Sequence, residues 1–246
     1  MLALEDVSIA YRARTGPVQA VSGVSLTLEA GGSLGLVGES GCGKSTLALA
    51  ALALLPAEAR VTSGAIRLDG VELVGLKPRQ IWRLGVGRTF QIAATFSSLT
   101  VVENVQMALI SADHKVYSLW RPAARHKRAE ALALLAQVGM ESQADRPCGV
   151  LAYGDVKRVE LAIAMANSPK LLLMDEPTAG MAPAERNDLM ALTRKLVVER
   201  GLGVLFTEHS MDVVFAYADR IVVLARGRLI AEGKPAQIRD HPKVQE

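Results

Sequence analysis

Cysteine is scarce in this sequence. The 246 residues include only two cysteines, Cys42 and Cys148, which lie far apart and have no second cysteine or histidine at the spacing of metal ligands. This pattern favours a reduced, intracellular compartment. The first residues, Met1 to Asp6, also lack the basic flank, apolar stretch and small-residue cleavage site of a secretory signal, so we expect none.

Long apolar runs and a strong excess of one charge are also missing. The longest apolar run, Leu47 to Leu55, is about half of the roughly 20 residues that cross a bilayer. Any membrane-spanning part of the machinery is therefore expected to come from another chain. The formal net charge is only +3, from 28 Lys and Arg against 25 Asp and Glu. So small an excess gives no electrostatic reason to expect a nucleic-acid partner.

The sequence contains enough apolar residues for one hydrophobic core, and its patterns predict two kinds of strand. Hydrophobic residues make up 50% of the chain, and its length is typical of one domain. Leu2 to Ala10 and Val24 to Leu28 alternate apolar with polar residues, which predicts antiparallel strands with one exposed face. Ser33 to Val37 is apolar without alternation, as in a strand that is buried on both faces.

Strands and helices alternate through most of the remaining chain, which predicts an α/β fold with a parallel, helix-covered sheet. Between Gln91 and Leu151 the pattern is helical instead, which predicts an inserted helical lobe. The tail from Lys234 to Glu246 is expected to form a short helix and a frayed end. The predicted strands are Lys170 to Met174, Gly203 to Phe206 and Arg220 to Leu224, and the predicted helices are Thr46 to Leu55, Val101 to Ile110, Ala123 to Gln137, Asp155 to Ala166, Ala184 to Val198 and Met211 to Tyr217.

A glycine-rich loop follows the first buried strand. It has the pattern Gly, four residues, Gly, Lys, Ser, in which the glycines let the backbone wrap around phosphate so that successive N–H groups point at its oxygens. Lys44 would reach the outer phosphates, Ser45 would ligate Mg²⁺, and the following helix would present its N-terminus to the same anions. The sequence therefore predicts an ATP site formed by Gly38, Glu39, Ser40, Gly41, Cys42, Gly43, Lys44, Ser45 and Thr46.

A pair of acidic residues follows another predicted buried strand. Leu171 to Met174 is entirely apolar and leads directly into Asp175 and Glu176. Open α/β sheets bind ligands at the carboxyl ends of their strands. We therefore expect Asp175 to hold Mg²⁺, directly or through water, and Glu176 to polarise the attacking water.

Three further segments occur in the order found in the ATP-binding-cassette (ABC) ATPases, and nearly the whole chain resembles this family. Gln91 resembles the glutamine that contacts Mg²⁺ and the water and links the site to the membrane partner. His209 resembles the histidine that contacts the γ-phosphate. In addition to the three segments, Tyr11 is placed like the aromatic residue that stacks on adenine. The resemblance to the signature motif lies in Leu151, Ala152, Tyr153, Gly154 and Asp155.

This resemblance implies a P-loop NTPase (RecA-like) core with an antiparallel β subdomain and an inserted α-helical subdomain. Residues 1–91 and 155–246 are assigned to the ATP-binding core and residues 92–154 to the helical subdomain. It also implies a head-to-tail dimer, in which residues 152–155 of one subunit contact ATP in the phosphate loop of the other. A helix that begins at such a glycine-containing turn directs its N-terminus at phosphate. One chain would thus carry two halves of different sites.

Two residues depart from the family pattern. Ala152 stands where the family usually has a serine that hydrogen-bonds the γ-phosphate, and Ala182 stands where an aspartate usually links the two sites. The loss of one charge-assisted hydrogen bond costs about 1.5 to 3 kcal/mol. We expect this to slow turnover without abolishing it.

Within the family, the chain is most similar to the ATPases of branched-chain amino-acid importers in Gly85 to Asn104, in Tyr153–Gly154 and in Ala179 to Pro183. Val37 to Leu73 looks closer to peptide-importer ATPases, so a peptide-type importer stays an alternative. The implied partners are a second ATPase subunit, membrane permease subunits and, indirectly, a substrate-binding protein, at the cytoplasmic face of the inner membrane. The rivals are a non-transport cassette protein of DNA repair or translation and a weakly hydrolysing nucleotide sensor.

Overall fold

The computed structural model describes residues 1–14, 16–89, 94–112 and 127–245. Within these ranges the chain forms an α/β fold of two sheets covered by helices. The strands are β1 Leu2–Ala13, β2 Gly16–Leu28, β3 Ser33–Gly38, β4 Ala59–Leu68, β5 Val71–Glu72, β6 Val86–Thr89, β7 Leu171–Asp175, β8 Gly203–Thr207, β9 Arg220–Ala225 and β10 Arg228–Gly233. The helices are α1 Lys44–Ala51, α2 Pro78–Arg83, α3 Val101–Ala112, α4 Arg128–Gln137, α5 Tyr153–Met165, α6 Pro183–Arg200, α7 Met211–Tyr217, α8 Pro235–Arg239 and α9 Pro242–Gln245.

The first sheet is antiparallel and has the strand order β2-β1-β4-β5. Leu2, Leu4 and Ile9 of β1 are buried in the same core, with a shift in the alternation where the pairing with β2 is irregular between Leu4 and Ile9. The predicted antiparallel strands near the start of the chain are therefore confirmed. The sequence did not indicate β4, because six of its first seven residues, from Ala59 to Ala65, are polar or small and show no apolar alternation. Pairing with β1 makes this segment a strand.

The second sheet has the order β10-β9-β3-β8-β7-β6, and all its neighbouring strands are parallel except the pair β9 and β10. The predicted parallel sheet is therefore confirmed. Its central strands are buried on both faces, and alternate residues enter different apolar cores. In β7, for example, Leu171 and Leu173 pack with the antiparallel sheet and α1, whereas Leu172 and Met174 pack with the helices on the other side.

Several helix boundaries differ from the predicted ones by one or more residues. Helix α1 ends at Ala51 because Ala53 adopts a left-handed backbone with φ 51°, and Leu54 beyond it is exposed. Helix α5 begins at Tyr153, two residues before the predicted start. The tail forms two short helices, α8 and α9, where one was predicted. The residue at which a helix begins or ends depends on capping and packing, which apolar periodicity does not report.

Helices α3, α4 and α5 form the helical side of the molecule. Val105 of α3, Leu135 of α4 and Val159 of α5 belong to the same buried cluster as residues of the central sheet. The predicted helical lobe is therefore present and shares its core with the sheet. The assignment of residues 92–154 to a separate subdomain stays a prediction. Among the described residues, no helix combines the length and apolar character that crossing a bilayer requires.

Candidate nucleotide site

The loop between β3 and α1 has backbone conformations that only glycine tolerates well. Gly38 has φ 147°, and a Cβ atom there would lie 2.1 Å from the carbonyl oxygen of Leu224. Gly43 has φ 104°, and a Cβ atom there would lie 2.7 Å from the carbonyl oxygen of Ala20. Helix α1 begins immediately afterwards, at Lys44. The structure thus places the predicted phosphate loop at the carboxyl end of a central parallel strand, where its glycines are required.

Lys44 is the first residue of α1, and its side chain extends back into the loop. Its side-chain nitrogen donates hydrogen bonds to the carbonyl oxygens of Gly38, at 2.7 Å, and of Glu39, at 2.8 Å. The residue is only 5% exposed. A buried ammonium group needs such partners because its desolvation is costly. The loop therefore holds a positive charge among the backbone groups that are predicted to surround phosphate.

Asp175 lies at the end of β7, beside the first turn of α1. Its Oδ1 atom accepts hydrogen bonds from the hydroxyl of Ser45 at 3.3 Å and from the hydroxyl of Thr207 at 2.8 Å. Its Oδ2 atom lies 3.9 Å from Nη2 of Arg88. Burial lowers the pKa of Arg88, while the charges of Asp175 and Glu160 raise it. Arginine nevertheless stays protonated at neutral pH.

The carboxylate of Asp175 and the hydroxyl of Ser45 fit Mg²⁺, which prefers oxygen ligands and is usually bound by one or two carboxylates together with substrate phosphates and waters. No group of three or more His, Cys, Asp or Glu residues in the described ranges could hold a metal ion by itself. A protein site completed by phosphate oxygens agrees with both observations.

Glu176 has a backbone conformation that is rare for a residue with a side chain. Its φ is 47°, and its N–H donates both to the carbonyl oxygen and to the hydroxyl of Thr207, each at 3.1 Å. Strained conformations of this kind cost about 1 to 3 kcal/mol and concentrate at functional sites. The side chain contacts His209, with Oε1 and Nε2 2.8 Å apart. The structure thus brings Glu176 and His209 together from the ends of neighbouring strands.

The buried carboxylate of Glu208 connects the segment after Glu176 with the backbone of His209. Glu208 is 4% exposed and accepts hydrogen bonds through Oε1 from the N–H and hydroxyl of Thr178, at 3.0 and 2.6 Å. Its Oε2 atom accepts the N–H of His209 at 3.2 Å. Glu208 therefore ties the turn after Glu176 to the residue that carries the imidazole.

Thr207, Glu208, Thr178 and Arg88 were not among the predicted site residues. Thr207 and Glu208 immediately precede His209, so their position in the chain was the available signal. Their role depends on Asp175 and Thr207 lying opposite each other in neighbouring strands. Strand order is a property of the tertiary structure, and periodicity within one strand does not reveal it.

Tyr11 lies on β1 at the edge of the phosphate loop. Its hydroxyl is 3.2 Å from the hydroxyl of Thr46 in the first turn of α1. The residue also lines a groove of about 670 Å³ together with Gly16 and Pro17 at the start of β2 and with the segment 57–62. This placement agrees with a ring at the base end of a nucleotide whose phosphates lie in the loop. The proposed stacking on adenine stays a prediction.

The signature residues lie at the start of α5. Ala152 is its N-cap and provides no side-chain hydrogen bond, and Tyr153 is 42% exposed. A Cβ atom on Gly154 would lie 3.2 Å from the carboxylate of Glu185, and one on Gly180 would lie 3.8 Å from the Tyr153 ring. The signature therefore packs against the turn that leads into α6.

The helix that begins with the signature residues packs against α3, α4, α6 and β6. Asp155 lies in the first turn of α5, where the helix dipole stabilises a negative charge. Gln91 lies outside the described residues, so its contact with Mg²⁺ and water stays a prediction.

Replacement of Thr207 by valine tests the link between the two acidic residues. The change preserves shape but removes the hydroxyl that donates to the Asp175 carboxylate and accepts the Glu176 N–H, while the bond from this N–H to the Thr207 carbonyl stays. We therefore expect ATP hydrolysis to fall about ten- to a hundredfold and to need more Mg²⁺. The measurement is the Mg²⁺ dependence of phosphate release. The matched control is T193V, since the buried hydroxyl of Thr193 donates to the carbonyl oxygen of Leu189 within α6. Equal effects of the two changes would contradict the assignment.

A phosphate loop at the end of a central strand, with acidic residues at the carboxyl ends of other strands of the same sheet, defines a P-loop nucleotide-binding protein. Residues 21–179 match the ABC transporter family, and residues 228–246 match the branched-chain amino acid ATP-binding cassette transporter family. The chain belongs to the ABC transporter family, as predicted from its motifs, and it is an ATP-binding cassette.

Similar proteins support the same assignment. The chain is 39% identical over 242 residues to the high-affinity branched-chain amino acid transport ATP-binding protein BraF of Pseudomonas aeruginosa, covering 94% of this chain and 92% of BraF. A nucleotide-free ATP-binding cassette from an ABC transporter is 28% identical with a TM-score of 0.85, covering 100% of this chain and 97% of that one. A dimeric cassette in a post-hydrolysis state, bound to ADP and Pi, has 28% identity and a TM-score of 0.79, covering 96% and 99%.

Proposed function

We propose that this chain is the ATP-hydrolysing motor subunit of an importer for branched-chain amino acids or related small polar solutes. The observation that carries the proposal is the convergence of Ser45, Asp175, Glu176 and His209 at the end of the loop that holds Lys44. This set contains a cation for phosphate, oxygen ligands for Mg²⁺ and a carboxylate next to an imidazole. Phosphoryl transfer to water needs these groups.

Each residue has a role that its contacts support. Lys44 binds the outer phosphates and stabilises the charge that develops on them. Mg²⁺, held by Ser45 and Asp175, would neutralise phosphate charge when it is bound. Glu176 accepts a hydrogen bond from the attacking water and orients it, and His209 holds the carboxylate in place through the 2.8 Å contact. The hydroxyl of Thr207 bonds both the Asp175 carboxylate and the Glu176 N–H, and so fixes the two acids relative to each other.

The complete site is proposed to need two subunits. The signature residues 152–155 lie outside the phosphate loop of their own chain, and a structurally similar cassette is a dimer bound to ADP and Pi. In a head-to-tail pair the N-terminus of α5 from one subunit would face the phosphates held by the other. ATP binding would close the dimer and hydrolysis would open it. Permease subunits would convert that movement into transport, with this chain bound peripherally at the cytoplasmic face of the inner membrane.

The proposed substrate class rests on two similarities: residues 228–246 match the branched-chain amino acid transporter family, and the chain is similar to BraF. The second candidate is a nucleotide sensor that hydrolyses ATP weakly. It is favoured by Ala152 and Ala182, because both N-cap positions lack the side chains that usually contact nucleotide or link the sites. These two functions differ in turnover rather than in ATP binding.

Phosphate release in proteoliposomes distinguishes the candidates. The purified chain is assembled with its permease subunits and binding protein, and hydrolysis is measured with and without leucine, isoleucine or valine. A motor subunit should hydrolyse ATP faster when the binding protein carries its amino acid. A rate that stays low in the full assembly would support the nucleotide sensor. Stimulation by a peptide or another solute instead would retain the motor and change the substrate.

A further inference from the structure

The turn between β9 and β10 contacts the phosphate loop. Its two residues, Arg226 and Gly227, have φ 47° and 76°. The N–H of Gly227 donates a 3.0 Å hydrogen bond to the carbonyl oxygen of Cys42, in the middle of the loop. An element near the end of the chain therefore supports the backbone that is proposed to surround phosphate.

The same residue also contacts the antiparallel sheet. The carbonyl oxygen of Gly227 accepts a 2.7 Å hydrogen bond from the N–H of Ser22 in β2. A Cβ atom on Gly227 would lie 2.5 Å from the carbonyl oxygen of Ala20, and a Cβ atom on Gly43 would lie 2.7 Å from that same oxygen. The Ala20 carbonyl is thus packed between two glycines, one in the turn and one in the phosphate loop.

We propose that Gly227 is a positioning residue for nucleotide binding. Its two backbone hydrogen bonds hold the phosphate loop at a set position relative to the sheet that carries Tyr11. Phosphates and base are bound by these two parts of the chain, so a nucleotide fits both only if their separation is maintained. The inference rests on the proposed ATP binding and assigns part of its affinity to a residue that does not contact the nucleotide.

A second turn of the same type separates this role from an ordinary need for glycine. The turn between β4 and β5 consists of Asp69 and Gly70, with φ 49° and 81°. Both pairs have the two positive φ angles of a type I′ hairpin, which favours glycine at the second position. A Cβ atom on Gly70 would meet nothing within 4 Å, whereas Gly227 is buried against β2 and the loop. Alanine therefore introduces similar backbone strain at both sites, but only at Gly227 does its Cβ clash with β2. Relief of that clash moves the turn, and the hydrogen bond from Gly227 to Cys42 transmits the movement to the phosphate loop.

The experiment compares G227A with G70A in the full chain. Dissociation constants for MgATP and MgADP are measured by titration calorimetry, and Tm is measured without nucleotide. We expect G227A to weaken both nucleotides at least about tenfold, which corresponds to about 1.4 kcal/mol, and G70A to change them less than about twofold. Both variants should have lower Tm values because both are strained at positive φ.

The outcomes separate this inference from the proposed function. If the parent chain binds no nucleotide, the proposed function fails. If the parent binds and G227A binds as tightly as G70A, Gly227 has only a structural role and the inference is wrong. Should G227A not fold, hydrogen exchange of the parent decides the question. MgATP should then slow exchange of the Gly227 and Ser22 amides but not of Gly70, and an unchanged rate at Gly227 would overturn the inference.

Discussion

Replacement of Glu176 by glutamine is expected to lower ATP hydrolysis about 10²- to 10⁴-fold, the usual contribution of a positioned general base. Glutamine has the same shape and can keep a hydrogen bond to Nε2 of His209, 2.8 Å away in the parent. It lacks the negative charge that polarises water. ATP binding should be retained because the phosphate loop and the oxygen ligands of Mg²⁺ are unchanged.

A second result should accompany the loss of hydrolysis by E176Q. Since ATP closes the proposed dimer and only hydrolysis opens it, the variant should elute as a dimer in MgATP and as a monomer in MgADP during size-exclusion chromatography. The control is E199Q, a change to a solvent-exposed glutamate near the end of α6 that pairs with Lys195 at the surface. Hydrolysis by E176Q at the parent rate would show that another group activates the water.

Replacement of Lys44 by methionine should weaken ATP binding about ten- to a hundredfold, because one charge-assisted contact contributes about 1.5 to 3 kcal/mol. Hydrolysis should fall further, since the ammonium also stabilises charge that develops in the transition state. Methionine retains most of the apolar stem, so the buried volume changes little. The measurements are the Kd for MgATP and the rate of phosphate release at saturating MgATP.

The Lys44 prediction needs a check on stability. The ammonium satisfies the carbonyl oxygens of Gly38 and Glu39, so its removal leaves two acceptors without this donor and should lower Tm. K170M is the control, because that lysine is exposed and pairs with Asp69 at the surface. If K44M binds MgATP as tightly as K170M does, Lys44 does not contact the phosphates.

Local patterns predicted most of the elements that position the site. The phosphate loop, the strand before it and the strand ending at Asp175 depend on neighbouring residues in the chain, so motif spacing and apolar runs were sufficient for them. Strand β4 and the end of α1 were predicted poorly. The former becomes a strand by pairing with β1, and the latter ends where Ala53 turns left-handed.

The sequence alone predicted a phosphate loop from Gly38 to Thr46 and determined that two acids follow a buried strand, because these features are contiguous in the chain. Only the tertiary structure decided which residues contact the loop and the two acids and hold them in position. Asp175 and Thr207 pair across 32 positions, and Gly227 reaches Cys42 from the far end of the sequence. Such contacts follow from strand order and sheet packing, which bring together backbone groups that carry no sequence signal of their own.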